Sequence, residues 1–227
     1  MISPQQVLGL NNKHVVNVVN ADNQHKLLPI VKDAYLDMQK AASLDGHDLQ
    51  LVSTFRSFER QASIWNRKWN GELKLNTLDG EVLDTSVLDD ETKLHAILLW
   101  SALPGGSRHH WGTDFDVYDR KRVEDCGKPF ELVTSEYEGN GPCADLAVWL
   151  HNNASKFGFA RPYFEYRGGV APEPWHLSYI PIAKQIINSF SVDLLRQQLI
   201  ESSILGLDTV LLQLNALFER YTLNKGM

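Results

Sequence analysis

SRHHWGTDFDVYD, residues 107–119, sets two adjacent histidines ahead of two alternating aspartates. Its last six residues alternate in the manner of a half-buried strand, which puts Asp114, Asp116 and Tyr118 on one face. His109 and His110 stand just ahead of that strand, and Gly112 lets the chain turn between the histidines and the aspartates. About sixty residues later EPWH, residues 173–176, places another histidine beside a glutamate. It runs into WHLSYI (175–180), which reads as a second core strand. If the two strands are neighbours, two imidazoles and a carboxylate converge.

Those residue types in that pattern point to a metal. A catalytic zinc takes three protein ligands and leaves a fourth position to water, whose pKa falls toward about 7. His109, a carboxylate of DFD and His176 supply the ligands, and Glu173, three residues before His176, supplies a base. Asp114 and Asp116 point the same way, so spacing alone leaves the choice between them open. His109 and His110 point oppositely if the chain is extended there, so a single ion takes only one of them. His14, His25, His47, His95 and His151 lack a carboxylate cluster and read as structural. Trp175 reads as packing that excludes water and holds the His176 rotamer.

Outward from the two stretches, KLLPIVKDAYLDMQKAA (26–42) carries Leu27, Ile30, Val31, Ala34, Met38, Ala41 and Ala42 at helical spacing, with Asp45-Gly46 as a stop. LQLVSTF (49–55) is rich in strand formers, and Ser57 is a cap for a helix over 58–69. Residues 71–88 read as an irregular loop. Asp89 and Asp90 begin a helix that runs to about Trp100, where LPGGS breaks it. A further helix is expected over 144–156, ended by Gly158. From Ile182 onward the pattern is a helical tail broken near Ser191 and Gly206. These expectations add up to an α+β fold, a small antiparallel sheet with helices around it.

The 227 residues suffice for a substantial core. A hydrophobic fraction of 43% with 22% charged residues is that of a globular protein, which excludes a disordered or membrane-embedded chain. The net charge of −6, without a dense run of Lys or Arg, argues against a nucleic-acid partner. No apolar run approaches the roughly 20 residues that span a bilayer. The first residues lack a basic start followed by an apolar core, so a cytoplasmic location is expected, with the periplasm left open. Cys126 and Cys143 lack CxxC spacing, and the sequence leaves open whether they pair.

In combination the motifs are specific. S-x-H-x-x-G-x-x-x-D at Ser107, His109, Gly112 and Asp116, then E-x-W-H at Glu173, Trp175 and His176, resembles the VanY-like zinc D-alanyl-D-alanine carboxypeptidases. That group shares a superfamily with lysostaphin-type peptidases and the hedgehog domain. STFRSFERQ (53–61) is similar to a third element of the family and contributes Arg56 and Gln61. The resemblance covers roughly residues 25–180.

It implies that His109, Asp116 and His176 hold Zn2+, which selects Asp116 over Asp114, and that Glu173 is the catalytic base. It implies further that Arg56 is the cationic group at the scissile carbonyl and that Ser107 and Gln61 position substrate. The position occupied by Asp114 is commonly a small residue in the family, so the chain departs from the pattern there. The implied activity is hydrolysis of the terminal D-Ala peptide bond of peptidoglycan-derived peptides. Alternatives are a D,D-dipeptidase, an L,D-carboxypeptidase on recycled muropeptides, or a non-catalytic zinc-stabilised binding module. The expected organisation is a zinc peptidase domain over residues 1–181 and a C-terminal helical extension over 182–227 packed on it.

Overall fold

The structure, a computed structural model, describes residues 2–18 and 25–225. The chain opens with a capped turn of helix, α1 (Pro4–Val7), and an antiparallel ribbon of β1 (Val16–Asn17) with β2 (Lys26–Leu27). Helix α2 (Pro29–Leu44) follows, then β3 (Leu49–Ser53) and helix α3 (Phe58–Trp69). A second ribbon joins β4 (Leu75–Asn76) to β5 (Val82–Leu83), and helix α4 (Asp90–Leu99) comes next. Strand β6 (Asp114–Asp119) passes directly into α5 (Arg120–Cys126), and α6 (Ala144–Asn153) leads to β7 (Phe159–Ala160) and β8 (His176–Tyr179). The remainder is helical: α7 (Ile180–Ser189), α8 (Val192–Ile200), α9 (Leu207–Leu212), α10 (Leu214–Leu217) and a π turn over Phe218–Thr222.

The α+β reading holds. The central sheet is antiparallel in the order β3-β6-β8-β7, and Asp116 lies directly opposite His176 in its register. Because side chains alternate along a strand, that one pairing puts Asp114, Asp116, His176 and Ser178 on the same face. The other face carries Phe115, Val117 and Leu177, all fully buried against α2 and α6. Each such side chain contributes about 1.5–3 kcal/mol of burial energy, so a one-residue slip of the register is strongly disfavoured. A second apolar cluster packs α3 and α4 against the C-terminal helices through Trp65, Ile97, Leu195, Val210 and Phe218.

Several boundaries differ from expectation, each for a physical reason. The first long helix begins at Pro29 rather than residue 26, because Lys26 and Leu27 pair with β1. Its buried stripe is Val31, Tyr35, Met38 and Ala42, while Ile30 is 52% exposed. Tyr35 joins the core because its hydroxyl donates to the Leu49 carbonyl at 3.3 Å. The segment 71–88 is not wholly irregular, since it holds β4, β5 and a 3-10 turn capped by Asp84. Strand β6 is buried on both faces rather than one, its acidic face being covered by the cavity walls described below. The second core strand ends at Tyr179, because Ile180 and Pro181 already start α7. The helix expected over 144–156 closes as α6 at Asn153 and continues only as a 3-10 turn. Ser57, Asp89 and Ser191 cap helices as their types suggest. Among the described residues no helix is long and apolar enough to cross a membrane.

Candidate metal centre

Three buried ligand atoms, one each from His109, Asp116 and His176, lie within 4.8 Å of one another. Asp116 and His176 come from paired strands, and His109 from a 3-10 turn over Arg108–Trp111 that ends at Gly112. Gly112 has φ +69, and a Cβ there would stand 2.4 Å from Val15, so glycine is required for conformation and for space. Because residues 108–111 coil, His109 and His110 diverge as expected by a different geometry. His110 Nδ1 donates to the Arg56 carbonyl at 2.6 Å and its Nε2 accepts from Gly105 N at 3.0 Å, away from the cluster.

The nitrogen that each histidine leaves free is decided by what its other nitrogen binds. His109 Nδ1 donates to the Thr54 carbonyl at 2.9 Å, so Nε2 is left facing Asp116 Oδ2 at 3.4 Å. His176 Nε2 bonds Asp114 Oδ1 at 3.1 Å, so Nδ1 is left facing Asp116 Oδ1 at 3.0 Å. Apart from this ion-pair approach to each other, His176 Nδ1 and Asp116 Oδ1 are buried without a hydrogen-bond partner. Two such polar atoms beside the free His109 nitrogen fit the donor set of a divalent cation such as zinc.

Electrostatics agree with that fit. Burial pushes the His109 pKa down to about 4, so the ring is neutral near pH 7. Burial also opposes charge on His176, but the Asp114 and Asp116 carboxylates outweigh it and lift the value to about 10. Asp116 stays below the ordinary carboxylate range, because His109 and His176 outweigh its burial. A cation held by these residues would replace the His176 proton in balancing the carboxylates.

Asp114 has both carboxylate oxygens engaged by other side chains. Besides His176 it accepts from Arg108 Nε at 2.7 Å, Thr113 Oγ1 at 2.5 Å and Ser178 Oγ at 3.1 Å. Burial would raise its pKa, yet the Arg108 guanidinium holds it far below the usual range. The Asp114 carboxylate thus orients a histidine and is itself fixed by a buried arginine.

Glu173 sits between Pro172 and Pro174, its amide bonded to the Tyr163 carbonyl at 2.8 Å. Its Oε2 is 3.5 Å from His176 Nδ1. Burial, reinforced by Asp116 and offset by His176 and Arg56, pushes its pKa up to about 7. That is where a group that must both take and return a proton is most effective. Arg56 follows β3, which carries a bulge between Leu51 and Ser53 that turns Ser53 opposite Asp116. Its guanidinium donates to Ser53 Oγ at 3.1 Å and Gln61 Oε1 at 2.7 Å.

A cavity of about 810 Å³ opens over these groups, and Arg56, Ser107, His109, Asp116, Glu173 and His176 all reach it. Gln61 does not. It is fully buried beneath Arg56, its amide nitrogen donating to Ser101 Oγ at 3.1 Å and Ala102 O at 2.8 Å, so its polar atoms are spent on the protein. Expected at the substrate, Gln61 stands in the structure as a brace for Arg56. Trp175 is buried and stacked on Trp100, as a packing residue. Cys126 is exposed and Cys143 buried, both as free thiols. Sequence reasoning missed Arg108 and Tyr163, whose ring centroid is 4.9 Å from that of His176. Neither lies in a residue pattern that marks it in advance.

Comparison with known proteins follows the same outline. The family described as VanY, D-alanyl-D-alanine carboxypeptidase, matches residues 24–182. An uncharacterized protein of Haemophilus influenzae is 35% identical over 121 residues, covering 52% of this chain and 92% of its own. A D-alanyl-D-alanine carboxypeptidase of Enterococcus faecalis is 28% identical over 149 residues, 64% of this chain and 45% of that protein. In fold, a mutant vancomycin resistance D,D-pentapeptidase VanY from the VanB-type resistance cassette, solved in complex with Zn(II), aligns with a TM-score of 0.51. It is 24% identical and covers 77% of this chain and 84% of its own.

Proposed function

This chain belongs to the VanY D-alanyl-D-alanine carboxypeptidase family, and from that premise we propose that it is a zinc-dependent carboxypeptidase removing the terminal D-Ala from peptidoglycan-derived peptides. The observation that carries the reading is the placement of Glu173 Oε2 3.5 Å from His176, at a cluster of three potential ligands and inside one cavity with Arg56. A purely structural metal needs neither the glutamate nor the arginine.

In this reading His109 Nε2, an Asp116 oxygen and His176 Nδ1 hold the ion. Zinc, when bound, supplies Lewis acidity to the carbonyl and acidity to water. Glu173 accepts the proton of the attacking water and returns it to the nitrogen of the departing D-Ala. Arg56 donates to the carbonyl oxygen as negative charge develops there, a contribution worth about 3–4 kcal/mol for one well-placed donor. Gln61 and Ser53 keep the guanidinium in place. Ser107, buried at the cavity wall, offers a hydroxyl to the peptide.

Elemental analysis of the purified chain, with D-Ala release from a dipeptide, tetrapeptide and pentapeptide measured before and after chelation, tests this. Stoichiometric zinc and chelator-sensitive release from the longer peptides are expected. Release from the dipeptide alone would reassign the chain as a dipeptidase, and no release from any of the three would overturn the enzyme reading.

A further inference from the structure

The C-terminal helices beyond α7 lie outside the residues 24–182 that the family matches, yet the segment they carry reaches the cavity. Tyr221 and Thr222, at the end of the π turn over Phe218–Thr222, line it. A π turn spends a backbone hydrogen bond on local geometry and recurs at functional positions.

Four attachments fix where those two residues stand. Trp65 Nε1 on α3 donates to Leu205 O at 2.9 Å, and Asn66 Oδ1 accepts from Leu205 N at 2.8 Å. The same helix carries Gln61, the brace of Arg56. The Gly105-Gly106 turn before Ser107 is pressed by the tail from two sides. A Cβ at 105 would stand 2.9 Å from Leu195, and one at 106 would stand 3.0 Å from Thr222 Oγ1. The far wall of the cavity is held as well. Arg220 Nε donates to Gly168 O, and Asn224 Nδ2 donates to Pro162 O at 3.2 Å, on either side of Tyr166. Tyr221 is itself held by its hydroxyl, 2.9 Å from His95 Nδ1.

We infer that the C-terminal helical segment completes the substrate site, with Thr222 and Tyr221 forming a hydrogen-bonding wall for the peptide chain on the Ser107 side of the cavity. Thr222 contacts the peptide through its hydroxyl, and Tyr221 through its ring, oriented by His95. The inference rests on the peptidase reading above.

Thr222→Val and Tyr221→Phe, made in the full zinc-loaded chain, test it with the tetrapeptide and pentapeptide as substrates. Thr222→Val should raise KM about five- to tenfold with kcat within twofold. Tyr221→Phe, freed from His95, should raise KM to a lesser degree. For Thr222→Val, zinc content and Tm should stay at the parental values, whereas a merely structural role would lower Tm and move kcat with the active fraction. Calorimetry of pentapeptide binding to the Glu173→Gln chain, with and without Thr222→Val, reads the same contact without turnover and should weaken by a similar factor. Parental KM for both peptides and unchanged calorimetric affinity would overturn the inference. Absence of hydrolysis by the parent would instead overturn the peptidase reading, and the calorimetric arm would still decide whether this wall binds peptide.

Discussion

Asp114 Oδ1 lies 3.1 Å from His176 Nε2, on the opposite side of the ring from the Nδ1 that faces Asp116. A carboxylate in this position fixes ring orientation and tautomer, and partners of this kind are worth 10–100-fold in metal affinity. Asp114→Asn keeps an acceptor for His176 but removes the charge opposite Arg108. Zinc affinity, measured by competition with a chromophoric chelator, is expected to fall about 10–100-fold. The uncompensated Arg108 should also lower the unfolding free energy by about 3–5 kcal/mol. Parental zinc affinity in a folded Asp114→Asn chain would show that the carboxylate does not orient the ligand.

The ligand and base roles separate by metal content. Glu173→Gln is close to isosteric and leaves His109, Asp116 and His176 untouched, so zinc should remain stoichiometric while turnover falls by about 10²–10⁴-fold. His176→Ala removes a proposed ligand and should lose both. A Glu173→Gln chain that hydrolyses peptide at the parental rate would remove Glu173 from the mechanism.

Much of this centre was legible in the sequence, because strand alternation converts spacing into a shared face. Alternation put Asp114 and Asp116 together, and Gly112 marked the turn that brings His109 to them. What spacing could not reach was the division of labour between the two aspartates. That division depends on Arg108 and Ser178 reaching Asp114, contacts that only the packed sheet brings about. The burial of Gln61 was unreadable for a related reason. Its position on α3 was readable, but the depth to which α3 sinks beneath Arg56 is set by its packing against the C-terminal helices. The ribbon within 71–88 was missed because two-residue strands are too short to show a period.

Arg56 and Gln61 form a donor and its brace, and their variants should differ in degree. Arg56→Met removes the group proposed to meet the developing oxyanion and should cost about 10²–10³-fold in kcat. Gln61→Leu leaves the guanidinium present but frees it from its 2.7 Å bond to Oε1, so a smaller loss in kcat is expected. The same change leaves Ser101 Oγ and Ala102 O without their donor and should lower Tm. Equal losses in the two variants, or none in Arg56→Met, would contradict the arrangement. Steady-state kinetics with thermal unfolding on the same samples decides it.

His110 gives a pH dependence whose sign follows from its partners. Its Nδ1 donates to Arg56 O and its Nε2 accepts from Gly105 N, so a second ring proton would point at an N–H donor. Burial, reinforced by the charge of Arg56, pushes its pKa from 6.5 down to about 3. The unfolded chain therefore takes up a proton below pH 6.5 that the folded chain refuses until about pH 3. The stability tied to His110 is full above pH 6.5 and declines as pH falls, by at most about 1.4 kcal/mol per pH unit. Other groups titrate in the same window, so the useful quantity is a difference between two chains. His110→Asn lacks the titration, and the stability advantage of the parent over it should shrink between pH 6.5 and 4.5. Urea unfolding of the metal-free forms at several pH values measures that difference directly. An advantage that stays constant or grows on acidification would mean that His110 is charged in the folded state.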